Sequence, residues 1–122
     1  MDKELLVKSG QALLKAMESA KIKTKLAMWV HNTDMDFWKF WLVTDIKDKR
    51  EFYRKISRII SENRGELGGI DASDTEYVTE KHPAVDVMRN FIRIEGISDV
   101  YFSGNTYNGY YMPEGIVLHS SL

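Results

Sequence analysis

The chain has 122 residues, a formal charge of −1 and no cysteine. Its hydrophobic fraction of 43% and charged fraction of 29% are typical of a single globular domain and exclude a disordered chain. The lack of cysteine excludes disulfides, thiolate metal sites and a cysteine nucleophile, and the near-neutral charge gives no general reason to expect a nucleic-acid partner.

The first predicted element is a helix from Asp2 to Ala20. Leu6, Leu13 and Met17 recur at helical spacing and form its apolar stripe. Gly10 interrupts this helix at a cost of about 1 kcal/mol in helix propensity, so we expect it to mark a point of close packing.

The next stretch, residues 24–44, contains all three tryptophans and predicts two β-strands joined by the polar turn NTDMD. Alternation along both strands defines one wholly apolar face, which we expect at the centre of the fold. Its members are Leu26, Met28, Val30, Trp38, Phe40 and Leu42. The other face carries Trp29, His31 and Trp41. Because a solvated face seldom carries two tryptophans, we predict that these three residues form a contact surface.

A second helix is predicted from about Asp48 to Asn63, where apolar residues again recur at helical spacing. Arg50, Arg54 and Arg58 repeat every four residues on its opposite face. Such a row is typical of a solvated helix face, and it is also a candidate for binding phosphates.

The rest of the chain predicts shorter elements. A strand near residues 77–79 precedes a third helix that opens at Pro83. A strand follows at 100–102, then the hairpin signal Asn108-Gly109 and a last strand at 116–119. This order predicts an α+β domain in which three helices form one layer and a mixed or mainly antiparallel sheet of about five or six short strands forms the other.

Four segments together resemble a group of small uncharacterised bacterial α+β proteins: KLAMWV, WKFWLVT, the REFYRKI helix and NGYYMPEGIVLH. In that group a K-A-A-x-W strand, a W-x-L strand and a C-terminal N-G turn recur. The resemblance implies a shared fold and assigns no activity or functional residue. This chain departs from the group at residues 117–120, where the group favours a tyrosine and an arginine.

Motifs for catalysis or metal binding are absent from the sequence. His31, His82 and His119 share no metal-ligand spacing, and the acidic run at 71–76 lacks the glycine and glutamate of a calcium loop. There is no nucleophile elbow, Walker loop or G-x-G-x-x-G. Glu80 and His82 are the remaining candidates for an acid–base pair, which the sequence alone does not refute.

The sequence therefore predicts a non-catalytic protein-interaction module without metal or cofactor, which self-associates as a homodimer through the second face of the hairpin. Nucleic-acid binding through the three arginines, with exposed tryptophans stacking on bases, is the alternative. An enzyme with an unrecognised site is a third hypothesis. No apolar run approaches the roughly 20 residues of a membrane span, and the N-terminal region is charged throughout, so we expect a cytoplasmic protein.

Overall fold

The computed structural model describes residues 2–91, 96–107 and 109–122. Its helices are α1 (Lys3–Ser19), α2 (Lys49–Glu62) and α3 (Pro83–Phe91). Its strands are β1 (Thr24–Asn32), β2 (Phe37–Thr44), β3 (Thr75–Tyr77), β4 (Val100–Phe102), β5 (Asn105–Tyr107), β6 (Tyr110–Met112) and β7 (Gly115–Ser120). Asn108 of the predicted turn lies outside the described residues, but the strands on either side of it, β5 and β6, pair antiparallel.

The main sheet has five strands in the order β3-β2-β1-β7-β4, and β5 and β6 form a separate ribbon. β1 lies antiparallel between β2 and β7, β4 is antiparallel to β7, and β3 is parallel to β2. The predicted α+β class, with three helices packed on a mixed sheet, is confirmed. The described part of the chain contains seven strands, because the C-terminal third forms more short strands than expected.

The register of the hairpin formed by β1 and β2 corrects the predicted assignment of faces. Trp29 lies opposite Phe40 and Met28 lies opposite Trp41. Directly opposed residues share a face, so the turn between β1 and β2 places odd-numbered residues of β1 with even-numbered residues of β2. The expected apolar face assumed the other phase. A shift of one residue at the turn moves every side chain of one strand to the other side of the sheet.

The first face of the sheet is covered by α1 and α2. Trp29, Phe40 and Leu42 pack there in one buried cluster with the apolar stripes of both helices. Gly10 is the point of close approach, because a Cβ at this position would lie 2.5 Å from Leu118 Cδ1 and 2.8 Å from Trp29 Nε1. The expectation of close packing at this glycine is confirmed.

The second face is also covered, by α3 and the β5–β6 ribbon. Met28 and Val117 from the sheet form a buried cluster with Val85 and Met88 of α3 and Met112 of β6. The sheet is therefore enclosed between two covering layers, where the sequence predicted one. Since both faces of the central strands are apolar, both have to be buried.

Candidate binding site at the hairpin tip

The predicted contact surface of Trp29, His31 and Trp41 is divided by the sheet. Trp29 is only 2% exposed, stacks on Phe40 with ring centroids 4.7 Å apart, and donates from Nε1 to the carbonyl oxygen of Leu6 at 2.7 Å. It belongs to the core beneath α1, which corrects its predicted place on a contact surface. His31 and Trp41 keep partial exposure; His31 lies beside the turn of the hairpin, and Trp41 lies in the middle of β2.

His31 is held between two carboxylates. Its Nδ1 lies 2.8 Å from Glu114 Oε1, its Nε2 lies 2.9 Å from Asp36 Oδ1, and its ring stacks on Trp38. An ionised carboxylate can only accept hydrogen bonds, so both ring nitrogens act as donors when the imidazole is protonated. We call this arrangement of Asp36, His31 and Glu114 the histidine bridge.

The electrostatics of the bridge favour the imidazolium. The hydrogen bond with Asp36 raises the pKa of His31 above its usual range; partial burial opposes this rise, and the hydrogen bond with Glu114 adds to it. Lys3 Nζ approaches Glu114 Oε2 at 4.0 Å. The bridge therefore ties the hairpin turn to the connection between β6 and β7, and that connection to the start of α1.

The hairpin turn is ordered around one strained residue. Asp36 has a φ of 51°, in the left-handed region that aspartate tolerates better than most side chains. Asn32 Oδ1 accepts a hydrogen bond from the Met35 backbone N–H at 3.1 Å. Met35 itself is 72% exposed, the highest exposure among the large apolar residues that the structure describes.

A groove of about 400 Å³ lies beside this turn, on the second face of the sheet. We call it the tip groove. Val30, Lys39 and Trp41 line it from the sheet, residues 32–34 and Phe37 from the hairpin end, and Tyr111 and Pro113 from the ribbon and the segment after it. His31 also borders the groove, but the strand register places its ring with Trp38 on the first face, so of the three predicted contact residues Trp41 is the one whose side chain faces the groove.

Trp41 is half-buried between the core and the groove. The ring of His82 packs edge-on against it at 5.1 Å, and the ring of Tyr110 packs edge-on against His82 at 6.0 Å. Because the neighbouring rings fix the indole on the covered side, Trp41 presents a preorganised apolar surface to the groove.

The charged groups of the groove have opposite signs. Glu76 and Asp34 supply carboxylates, and Lys39 supplies an ammonium group. Lys39 Nζ donates to the carbonyl oxygen of Ser73 and lies 5.9 Å from the centre of the Phe37 ring. An ammonium group has three donors, so Lys39 can still donate to a ligand that enters the groove.

The arginine row lies elsewhere. α2 packs on the first face of the sheet, whereas Trp41 belongs to the second face. Arg58 pairs with Glu62 at 2.9 Å, while Arg50 and Arg54 are exposed and have no carboxylate partner in the described part of the chain. The structure therefore does not bring the arginines and Trp41 onto one surface.

The residues considered for catalysis have structural roles. His82 Nδ1 accepts the Ala84 N–H at 3.0 Å at the start of α3, and burial lowers the pKa of His82. The Glu80 carboxylate pairs with Lys25 Nζ at 2.8 Å. The acidic run forms a capping box between Asp71 and Asp74.

Three further findings concern metal binding, membrane spans and known relatives. Across residues 2–91, 96–107 and 109–122, no three His, Cys, Asp or Glu side chains are placed to hold a metal ion. The helices seen in the same ranges lack the length and apolarity needed to cross a bilayer. No family model, curated protein or solved structure matches the chain, so the resemblance described above stays a prediction.

Three residues of the tip were not singled out from the sequence: Met35, Lys39 and Glu114. Met35 carried a visible signal, since it is the one apolar residue in the polar turn NTDMD. Glu114 carried none, because it lies 83 positions from His31 along the chain and meets it only through the pairing of β1 with β7.

Proposed function

We propose that the protein is a non-catalytic interaction module that binds a polypeptide segment in the tip groove. The observation that carries this proposal is the groove itself: an open, aromatic-walled depression beside an ordered turn. Its volume of about 400 Å³ is within the range of natural ligand sites. A cytoplasmic location agrees with the cysteine-free composition.

The composition of the groove favours a polypeptide over a small polar metabolite. Trp41, Phe37 and Tyr111 supply apolar walls, and aromatic residues of this kind are enriched at the energetic centres of protein interfaces. Lys39 and Glu76 lie among these rings, where they can pair with backbone amides and carbonyls of an extended segment. We favour a second copy of the chain as the partner, which gives a homodimer.

Selection of random short peptides on the immobilised protein tests the groove directly. We expect selected peptides to change the tryptophan fluorescence and to lose about tenfold or more in affinity for Tyr111→Ala. Arg54→Ala is the matched control, because Arg54 is also exposed but lies on α2. Peptides that bind Tyr111→Ala as tightly as the wild type would contradict the proposal.

Nucleic-acid binding is the second candidate, and one observation favours it. Arg50 and Arg54 are exposed one helical turn apart, without a carboxylate partner in the described residues. Binding through them should weaken steeply with added salt and should be lost in Arg50→Glu combined with Arg54→Glu. Affinity for a DNA duplex that is unchanged by salt and by this double substitution rules the second candidate out.

A further inference from the structure

We infer that the occupant of the tip groove is the Met35 side chain of a second copy, in a two-fold symmetric dimer in which each hairpin turn inserts into the other copy's groove. This inference rests on the proposed function, because it names the partner that the groove accepts. It assigns a role to Met35, the most exposed large apolar residue in the described ranges.

Met35 is presented as a rigid projection. Its backbone N–H is held by Asn32 Oδ1, and the next residue, Asp36, is fixed by the histidine bridge. Because the backbone of this turn is already ordered, burial of the 72% exposed side chain by a partner costs rotamer entropy of the side chain but little backbone entropy. This is the preorganisation expected of an interface anchor.

The position of Met35 relative to the groove fits two-fold symmetry. The groove is lined by residues 32–34, which immediately precede Met35 in the turn. A two-fold interface needs one self-complementary patch that contains both the projection and the cavity that receives it. Because Met35 and the groove lie side by side, two copies can satisfy both contacts at once and the assembly closes as a dimer. If the groove lay far from Met35, each copy would bind a further copy and the assembly would stay open.

The chemistry of the two surfaces is also complementary. A thioether is polarizable and makes favourable contacts with aromatic rings such as Trp41, Phe37 and Tyr111. Asp34 precedes the projecting residue and enters with it, so its carboxylate can pair with Lys39, the one ammonium group in the described lining of a groove that also contains Glu76. Each symmetric contact therefore places one apolar side chain among rings and one acid near one base.

A second apolar surface of the chain could also hold two copies together. β4 is an edge strand of the main sheet, and its Val100 and Tyr101 are 39% and 52% exposed. Unpaired strand edges are common sites of self-association. Val100→Asp is therefore a matched control for Met35→Asp, because each change places one carboxylate in an exposed apolar position.

The first experiment measures molecular mass by sedimentation over a range of concentrations, with circular dichroism to confirm folding. We expect the wild type and Val100→Asp to shift from monomer to dimer with the same dissociation constant. Met35→Asp should raise that constant by about tenfold or more. A wild type that stays monomeric, or a dimer weakened by Val100→Asp and not by Met35→Asp, overturns the inference.

Mixing two variants gives a sharper outcome. Tyr111→Asp blocks the groove and leaves Met35 intact, whereas Met35→Asp removes the projection and leaves the groove intact. Each alone should remain monomeric, and an equal mixture should form a heterodimer that keeps one of the two contacts. A mixture as monomeric as its components overturns the reciprocal geometry.

The peptide selection separates the failure of this inference from the failure of the proposed function. If the wild type is monomeric but selected peptides still require Tyr111, the groove binds a different polypeptide and only the inference fails. If no peptide binds and no dimer forms, both fail.

Discussion

Replacing Glu114 by glutamine removes one carboxylate of the histidine bridge and leaves the shape of the side chain almost unchanged. The bridge depends on the imidazolium, which donates from both ring nitrogens to Glu114 and Asp36. The folded protein raises the pKa of His31 above the unfolded value of 6.5. The bridge therefore contributes its full stability below about pH 6.5, and this contribution is lost as the pH rises through the folded pKa.

The expected magnitude follows from the exposure of the two carboxylates. The Asp36 side chain is 90% exposed, so water screens its ion pair and we assign it a few tenths of a kcal/mol. Glu114 is 39% exposed and His31 is 15% exposed, which places their hydrogen bond near the upper end for surface pairs, at about 1 kcal/mol. Glu114→Gln should cost about that much at about pH 6.

Urea unfolding at about pH 6 and about pH 9 tests this prediction. Tryptophan fluorescence and circular dichroism serve as two independent probes of unfolding. At the higher pH the neutral imidazole has one N–H, so the difference between wild type and Glu114→Gln should fall to a few tenths of a kcal/mol. Burial raises the pKa of Tyr110, so this phenol stays protonated in both conditions. Equal losses at both pH values would refute the reasoning.

Three further predictions concern the packing and the surface. Gly10→Ala should lower the free energy of unfolding by about 1 kcal/mol, because overpacking against Trp29 exceeds the gain in helix propensity; unchanged urea unfolding would contradict it. Burial lowers the pKa of His82, so stability falls as the pH drops below about 6.5, and His82→Asn should flatten this dependence in thermal melts. Arg50→Glu with Arg54→Glu should change stability by less than about 0.5 kcal/mol and leave the dimer mass unaltered, whereas a monomeric double variant would move the interface to α2.

The α+β class could be predicted because it depends on the order and type of the elements, which local spacing reveals. The pairing of faces could not. The phase of β2 relative to β1 depends on the number of residues in the turn, and the segment NTDMD permits turns of more than one length. The expected phase placed Met28 on the same face as Phe40. In the structure, which differs by one residue in phase, Trp29 lies opposite Phe40 instead.

The sequence indicated the hairpin as the place of the candidate site, but it could not indicate the contacts that other segments make there. Alternation along the strands correctly marked the hairpin as the place of unusual tryptophans, yet it could not show that α1 covers Trp29. α1 can cover Trp29 because Gly10 lets the helix backbone approach the indole closely. This contact depends on how the helix packs on the sheet, which alternation along the strands does not reveal. The bridge from His31 to Glu114 and the wall formed by Tyr111 likewise require strands distant in sequence to meet.

The most direct test of the central claim is an isotope-filtered NOE experiment on an equal mixture of ¹³C-labelled and unlabelled protein, which detects only contacts between different copies. We predict NOEs from the Met35 methyl group to the rings of Trp41 and Tyr111. Intermolecular NOEs that arise from β4 or α2 without any from Met35, or none at concentrations where the mass is dimeric, would contradict the claim that the tip groove binds a second copy.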